Sequence, residues 1–151
     1  MQSIKILHPY GGVGFLPWEN LNQHTSFGGG LRNVRQLLDL AAQIRTFTER
    51  IEENDDLLGA IRAQVQDAET IVFLGFAFHE LNMKLLSPKT PATTSRVFTT
   101  AAGISNEDVK IVISDIFNML EKPPVFNIHV NNSLTCAALF DEWWRTLSRG
   151  L

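Results

Sequence analysis

Residues 71–86 constrain the fold of this chain more than any other stretch. They read IVFLGFAFHELNMKLL, in which four apolar residues, two of them β-branched, run into Gly75 without a charge. This pattern is typical of a strand covered on both faces in a parallel sheet, and it predicts a central strand. Leucines then recur at helical spacing, so a turn into a helix is expected. In open α/β sheets ligands bind beyond the carboxyl ends of the strands. The candidates there are Gly75, Phe76, Phe78, His79 and Asn82.

The rest of the chain alternates between the same two kinds of pattern. Further strands are predicted at residues 4–8, 96–100 and 125–130. Helices are predicted around 31–47, about five turns packed on a sheet face, and around 57–65, 109–120 and 134–147. The order β, α, α, β, α, β, α, β, α predicts one α/β domain over residues 1–151. It is expected to be a Rossmann-like open parallel sheet with helices on both faces.

Two helix starts are marked by polar residues. Ser105 lies three residues before Asp108, which is the spacing of a capping box. Residues 131–133, Asn-Asn-Ser, precede the last helix and are predicted to cap it.

Charge and cysteine content narrow the classes of function. The net charge is −3 and lysine and arginine form no cluster, which argues against nucleic-acid binding, because such binding needs a concentrated basic surface. Cys136 is the single cysteine, so neither an intrachain disulfide nor a paired-cysteine zinc site is predicted, and a reducing, cytoplasmic location is favoured. His79-Glu80 lacks the second histidine of HExxH, so no metal is predicted. No apolar run approaches the roughly 20 residues of a membrane span.

Several candidate ligand residues have a structural explanation as well. Thr99, Thr100 and Gly103 end the next predicted strand, where hydroxyl and amide groups would meet a ribose or phosphate, and turn chemistry explains them nearly as well. Gly75 either admits a nucleotide or makes a tight turn. For the two phenylalanines after Gly75, core packing is favoured over adenine stacking.

Three stretches resemble the sirtuin-like domains of bacterial proteins. Residues 71–86 are similar to the hydrophobic strand of that family and its G-(Y/F)-x-(F/L) turn, which an asparagine and a short helix often follow. Residues 4–16, IKILHPYGGVGFL, resemble the family's strand that ends in a histidine and glycine. Residues 98–105, FTTAAGIS, resemble its next strand-to-helix turn. The resemblance covers most of the chain but only the later half of the family's domain.

The resemblance implies a Rossmann-type fold that binds NAD. Members of the family deacylate proteins or, in many bacterial relatives, cleave the nicotinamide bond in defence against phage. The family's zinc-binding cysteines are missing here, which favours the NAD hydrolase over the deacylase. His8 would then be the catalytic base on a ribose hydroxyl, with a structural histidine as the alternative. The cofactor-binding residues would be Tyr10, Gly11, Gly75, Phe76, Phe78, Asn82, Thr99, Thr100 and Gly103.

Two motifs of the family are absent from this sequence. These are its Gly-Ala-Gly turn followed by serine and its Asn-x-Asp motif, which bind the pyrophosphate and the nicotinamide ribose. The chain is therefore expected to be the later part of a longer sirtuin-like domain, or a shortened relative that lost catalysis, and to be inactive alone. An incomplete sheet exposes a strand edge and apolar helix faces, so a homo-oligomer or a missing N-terminal half is predicted. The alternatives are a catalytically inert nucleotide-binding or sensing module and a protein-assembly module.

Overall fold

The computed structural model describes residues 5–10, 29–30, 33–42, 44, 56–121 and 127–149. Contacts group the chain into two compact units, Met1–Leu57 and Leu58–Leu151. The helices are α1 (Val34–Ala41), α2 (Asp56–Asp67), α3 (Glu80–Leu86), α4 (Asn106–Met119) and α5 (Cys136–Ser148). The strands are β1 (Thr70–Phe73), β2 (Arg96–Thr100) and β3 (Asn127–Asn131).

The three strands form an open parallel sheet in the order β1-β2-β3. Val72 is paired with Phe98, and Phe98 with His129, so the side chains of these three residues lie on one face. The predicted α/β class and parallel sheet are confirmed. The prediction that residues 71–74 form the central strand is wrong for the sheet that the described residues build. There β2 is central because it is the strand paired on both sides.

Helices cover both faces of the sheet, as predicted. On the face we call the α4 face, the apolar side chains of all three strands pack against those of α3 and α4. Val97 from β2 and Ile116 from α4 are fully or almost fully buried in that core. On the opposite face, called the α5 face, Phe98 and His129 pack against Trp143 of α5. Each crossover helix is therefore fixed by an apolar stripe, as its sequence period indicates.

The start of α4 has the predicted capping geometry. The Ser105 hydroxyl oxygen accepts a hydrogen bond from the Asp108 N–H at 3.1 Å and donates one to the Asp108 carboxylate at 2.8 Å. The first of these bonds satisfies one of the backbone N–H groups that the first helical turn leaves unpaired. From this start α4 runs fourteen residues and buries Val112, Ile116 and Met119.

Gly59 lies inside α2 and offers a stability test. It is solvent-exposed, and a Cβ added there would meet no other atom within 4 Å. Glycine in a helix interior costs roughly 0.5–1 kcal/mol relative to alanine, because its unfolded backbone is freer. We therefore expect Gly59→Ala to raise the free energy of unfolding by about that amount, measured by urea denaturation. A loss of stability would show that α2 is not helical at this position.

The structure differs from the two elements predicted in the N-terminal part of the chain, the strand at 4–8 and the helix at 31–47. Residues 5–8 are the described part of the first predicted strand. They do not form a strand, since they pair with no strand edge in the described chain. The helix predicted over 31–47 spans Val34–Ala41 only. Asn33 begins it by accepting a hydrogen bond from the Gln36 N–H at 2.9 Å. Its predicted buried positions Leu37 and Leu38 are exposed. Residues 31–32, 43 and 45–47 lie outside the described residues.

The last helix begins two residues later than the predicted cap. Thr135 is its N-cap, and its hydroxyl oxygen accepts a hydrogen bond from the Ala138 N–H at 3.2 Å. The three residues predicted as the cap form a turn before it instead. There the Asn131 side-chain oxygen accepts bonds from the Ser133 and Leu134 N–H groups at 2.9 and 3.1 Å. Among the described helices, none has the length and apolar character that crossing a membrane requires.

Candidate functional site

The carboxyl ends of the three strands meet at one edge of the sheet, because the strands are parallel. The turns after β1 and β2 and the loop after β3 follow these ends, and α4 and α5 begin there. Helix N-termini carry unpaired N–H groups and a partial positive charge. We call this region the carboxyl edge. It is the position at which open α/β sheets bind ligands.

Gly75 and Thr100 are joined directly at the carboxyl edge. The Gly75 N–H donates a hydrogen bond to the Thr100 hydroxyl oxygen at 3.1 Å. Gly75 has a φ of +59°, a left-handed conformation that favours glycine. A Cβ placed on Gly75 would lie 3.9 Å from the Cys136 Sγ, so the first residue of α5 is its neighbour. Two predicted site residues and the single thiol of the chain are thus adjacent.

Gly103 shapes the turn that leads from β2 into α4. Its φ is +86°, and the Ile104 N–H closes the turn by donating to the Ala101 carbonyl at 3.0 Å. The Ala101 N–H in turn donates to the Asn131 carbonyl at 2.8 Å, which extends the pairing of β2 with β3 beyond the strand end. The turn is therefore fixed on both sides, with Gly103 itself exposed.

Asn132 connects the end of β3 to the start of α4. Its side-chain amide donates to the Ile104 carbonyl and to the Asn106 side-chain oxygen, both at 2.9 Å. From the sequence, residues 131–133 are predicted only to cap the last helix, and Asn132 is not among the predicted site residues. The signal that would have found it is an asparagine pair directly after a predicted strand, where parallel strands bring their ends together.

The phenylalanines after β1 lie in the core. The Phe76 and Phe78 rings are 5.2 Å apart, and both pack against Phe73, at 5.1 and 5.7 Å. Phe78 is buried with a φ of +46°, and Phe76 is half-buried against the α4-face core. This arrangement supports their structural role. Asn82 lies on α3 and is half-buried.

Thr99 and Thr100 point to opposite faces of β2. Thr99 is fully buried, and its hydroxyl donates to the Thr100 carbonyl at 3.0 Å. Of the two, only Thr100 contributes its hydroxyl to the turn at the carboxyl edge.

The N-terminal candidates belong to the other compact unit. His8 is exposed and Tyr10 is half-buried in the unit Met1–Leu57. Gly11 lies outside the described residues. The structure thus brings Gly75, Thr100 and Gly103 to one edge, and His8 and Tyr10 are described separately from it.

Two titratable side chains at the carboxyl edge, those of His79 and Asp108, have structural partners. The His79 Nδ1 accepts a hydrogen bond from the Leu81 N–H at 3.3 Å, which caps α3, and the Asp108 carboxylate is bonded to Ser105. Within the described part of the chain, no group of three or more histidine, cysteine, aspartate or glutamate side chains is placed to bind a metal ion. The edge therefore presents mainly backbone groups, amides and hydroxyls.

The structure defines the class of this protein: it is an α/β protein with an open parallel sheet and turns at the carboxyl edge of that sheet. Compared with models of known families, with curated proteins and with solved structures, the chain matches none of them.

Proposed function

We propose that this chain is a nucleotide-binding module whose ligand, of the NAD or ADP-ribose type, binds at the carboxyl edge. The observation that supports it is the convergence of Gly75, Thr100 and Gly103 on that edge, beside the starts of α4 and α5. In Rossmann-like sheets this is where pyrophosphate meets helix N–H groups. The sirtuin-like resemblance of the same turns agrees with this ligand class.

Each residue has a distinct part in this proposal. Gly75 and Gly103 are exposed and lack side chains, so a ribose or phosphate can approach their backbone closely. The Thr100 hydroxyl accepts from the Gly75 N–H and so orients the turn. We assign it to positioning the turn, because it is almost fully buried.

The more specific part of the proposal is that the chain also cleaves the nicotinamide bond of NAD. It rests on the resemblance, and it requires a base on the ribose hydroxyl, for which His8 is the candidate. Binding is the part that the geometry of the carboxyl edge supports, since the His79 imidazole there already caps α3 and the Asp108 carboxylate already accepts a hydrogen bond from the Ser105 hydroxyl. Release of free nicotinamide from NAD, compared between the natural chain and His8→Ala, separates hydrolysis from binding.

The test of binding uses two exposed alanines. Calorimetry with ADP-ribose and with NAD is expected to give saturable heat and a rise in melting temperature, because a ligand that binds only the folded state stabilises it. Ala102 is exposed in the turn after β2, so Ala102→Glu places a negative charge beside the bound phosphates. We expect it to weaken affinity about tenfold, or about 1.4 kcal/mol. Ala63→Glu, on the exposed side of α2, is the matched control and should leave affinity unchanged.

Two outcomes would contradict the proposal. One is the absence of both heat and thermal shift with either nucleotide. The other is equal weakening by Ala102→Glu and Ala63→Glu, which would place any binding away from the carboxyl edge.

Assembly is the second candidate function, and one surface favours it. Phe140 and Trp144 are exposed one turn apart on α5, and β1 and β3 are the outer strands of the described sheet. Exposed aromatic groups and unpaired strand edges are typical of association surfaces. Light scattering over a range of concentrations tests it: a dimer that Trp144→Glu dissociates supports assembly, and a monomer at all concentrations contradicts it.

A further inference from the structure

The surface between α3 and α4 contains a cavity, which is separate from the turns after β2 and β3. It is an open groove of about 500 Å³, which we call the α3–α4 groove. Its apolar floor is made by Phe78, Met83 and Met119, all buried. The volume is within the range of small-molecule sites, which combine an apolar lining with a few polar groups.

The polar rim of the groove carries an uneven charge. The Lys84 ammonium lies 2.6 Å from the Glu80 carboxylate, so these two charges offset each other. Because Lys84 donates this hydrogen bond and adds its positive charge, the pKa of the Glu80 carboxyl is lowered. Asp115 also lines the groove, and its carboxylate forms neither a side-chain hydrogen bond nor an ion pair within the part of the chain that the structure describes. The charged groups on the rim, Glu80, Lys84 and Asp115, therefore sum to one net negative charge.

Phe78, one of the residues that line the groove, has a strained backbone conformation. Its φ of +46° is uncommon for a residue other than glycine, asparagine or aspartate. Such conformations persist where the surrounding structure imposes them, and they cluster at ligand sites. The two methionines beside it are the most adaptable of apolar side chains, which suits a floor that adjusts to a ligand.

We propose that the α3–α4 groove binds a small amphipathic amine. The ammonium group pairs with the Asp115 carboxylate, and the apolar body lies on Met83, Met119 and Phe78. Charge complementarity selects this class: a carboxylate ligand would meet an unpaired carboxylate, and a neutral one would leave Asp115 unpaired. The site differs from the one in the nucleotide proposal, which rests on Gly75, Thr100 and Gly103; the two share only the segment after β1, where Phe78 lies.

The methionines provide a direct readout. The chain has three methionines, and two of them line the groove, so methyl-labelled methionine reports binding by NMR in the full chain. Met83→Leu and Met119→Leu assign the signals. The probe is 2-phenylethylamine, and 2-phenylethanol and 3-phenylpropionate provide a similar apolar body with a neutral or negative group. We expect saturable shifts of the Met83 and Met119 methyl signals, with the amine about fivefold tighter than the alcohol, as for a partly exposed ion pair.

Three variants test the charge assignment in both directions. Asp115→Asn is expected to abolish the preference for the amine, and Lys84→Gln to strengthen it, because it frees the Glu80 carboxylate. Asp141→Asn, at an exposed position on α5, is the control and should change nothing. The proposal is overturned by methyl signals that do not move up to the solubility of the probe. It is also overturned if 3-phenylpropionate binds as tightly as the amine, or if Asp115→Asn leaves the preference intact.

Discussion

Phe98→Ala is expected to lower the free energy of unfolding by about 3–5 kcal/mol. Phe98 is fully buried on β2, and its ring centroid lies 5.0 Å from those of His129 and Trp143. Alanine removes the ring from the apolar interior and leaves a cavity between the sheet and α5, which the neighbouring rings fill only in part. A domain is stabilised by about 5–15 kcal/mol in total, so this one substitution removes a large share.

This loss is measured by urea denaturation, with far-UV circular dichroism as the signal that monitors unfolding. Trp144→Ala is the matched control, because Trp144 is also aromatic but is 67% exposed on the outer side of α5. At a protein concentration at which light scattering shows a monomer, the effect of Trp144→Ala is expected to be within about 0.5 kcal/mol. Similar losses for Phe98→Ala and Trp144→Ala would mean that the α5 face is not the packed layer that the ring contacts indicate.

Elements whose signals are local were predictable from the sequence. Ser105 and Asp108 are three residues apart, and the bonds between them depend on nothing outside that turn, so the start of α4 was predicted correctly. The bounds of β2 match the predicted residues 96–100, because the proline-containing connection 87–95 before it and the turn at Gly103 after it mark both ends.

Features that depend on pairing were not predictable in the same way. The hydrophobic pattern of residues 71–74 predicts burial on both faces, but β1 is an outer strand in which only Phe73 is buried, and Leu74 just after it is exposed. Strand order is a property of the whole sheet, and a single stretch does not encode it. For α1, the apolar period predicted a longer helix than Val34–Ala41, since periodicity alone does not mark where a helix begins and ends.

The position of the candidate site residues in the fold was predictable from the sequence, but their hydrogen bonds were not. Gly75 and Gly103 follow predicted strands and Thr100 is the last residue of one, and a parallel sheet brings such positions to one edge. The hydrogen bond from Gly75 to Thr100 and the two bonds from Asn132 depend on the register and the loop paths. Sequence patterns carry little information on those.

Gly75→Val is expected to lower the free energy of unfolding by about 1–3 kcal/mol. The φ of +59° is a left-handed conformation, which is least accessible to β-branched residues. A Cβ at this position would lie 3.9 Å from the Cys136 Sγ, an ordinary contact, so the Cβ itself causes no clash. Gly75→Asn is the matched variant, since asparagine tolerates this region, and it should lose clearly less than Gly75→Val. Urea denaturation of both variants provides the comparison.

The link to Thr100 gives this prediction a second, independent check. Thr100→Val keeps the side-chain shape but removes the oxygen that accepts the Gly75 N–H, at a cost of about 1–2 kcal/mol. If Gly75→Val already displaces the turn, that hydrogen bond is lost in both variants, and the double variant should lose less than the sum of the two. Additive losses, or equal losses for Gly75→Asn and Gly75→Val, would mean that the left-handed turn and its bond to Thr100 do not stabilise the carboxyl edge.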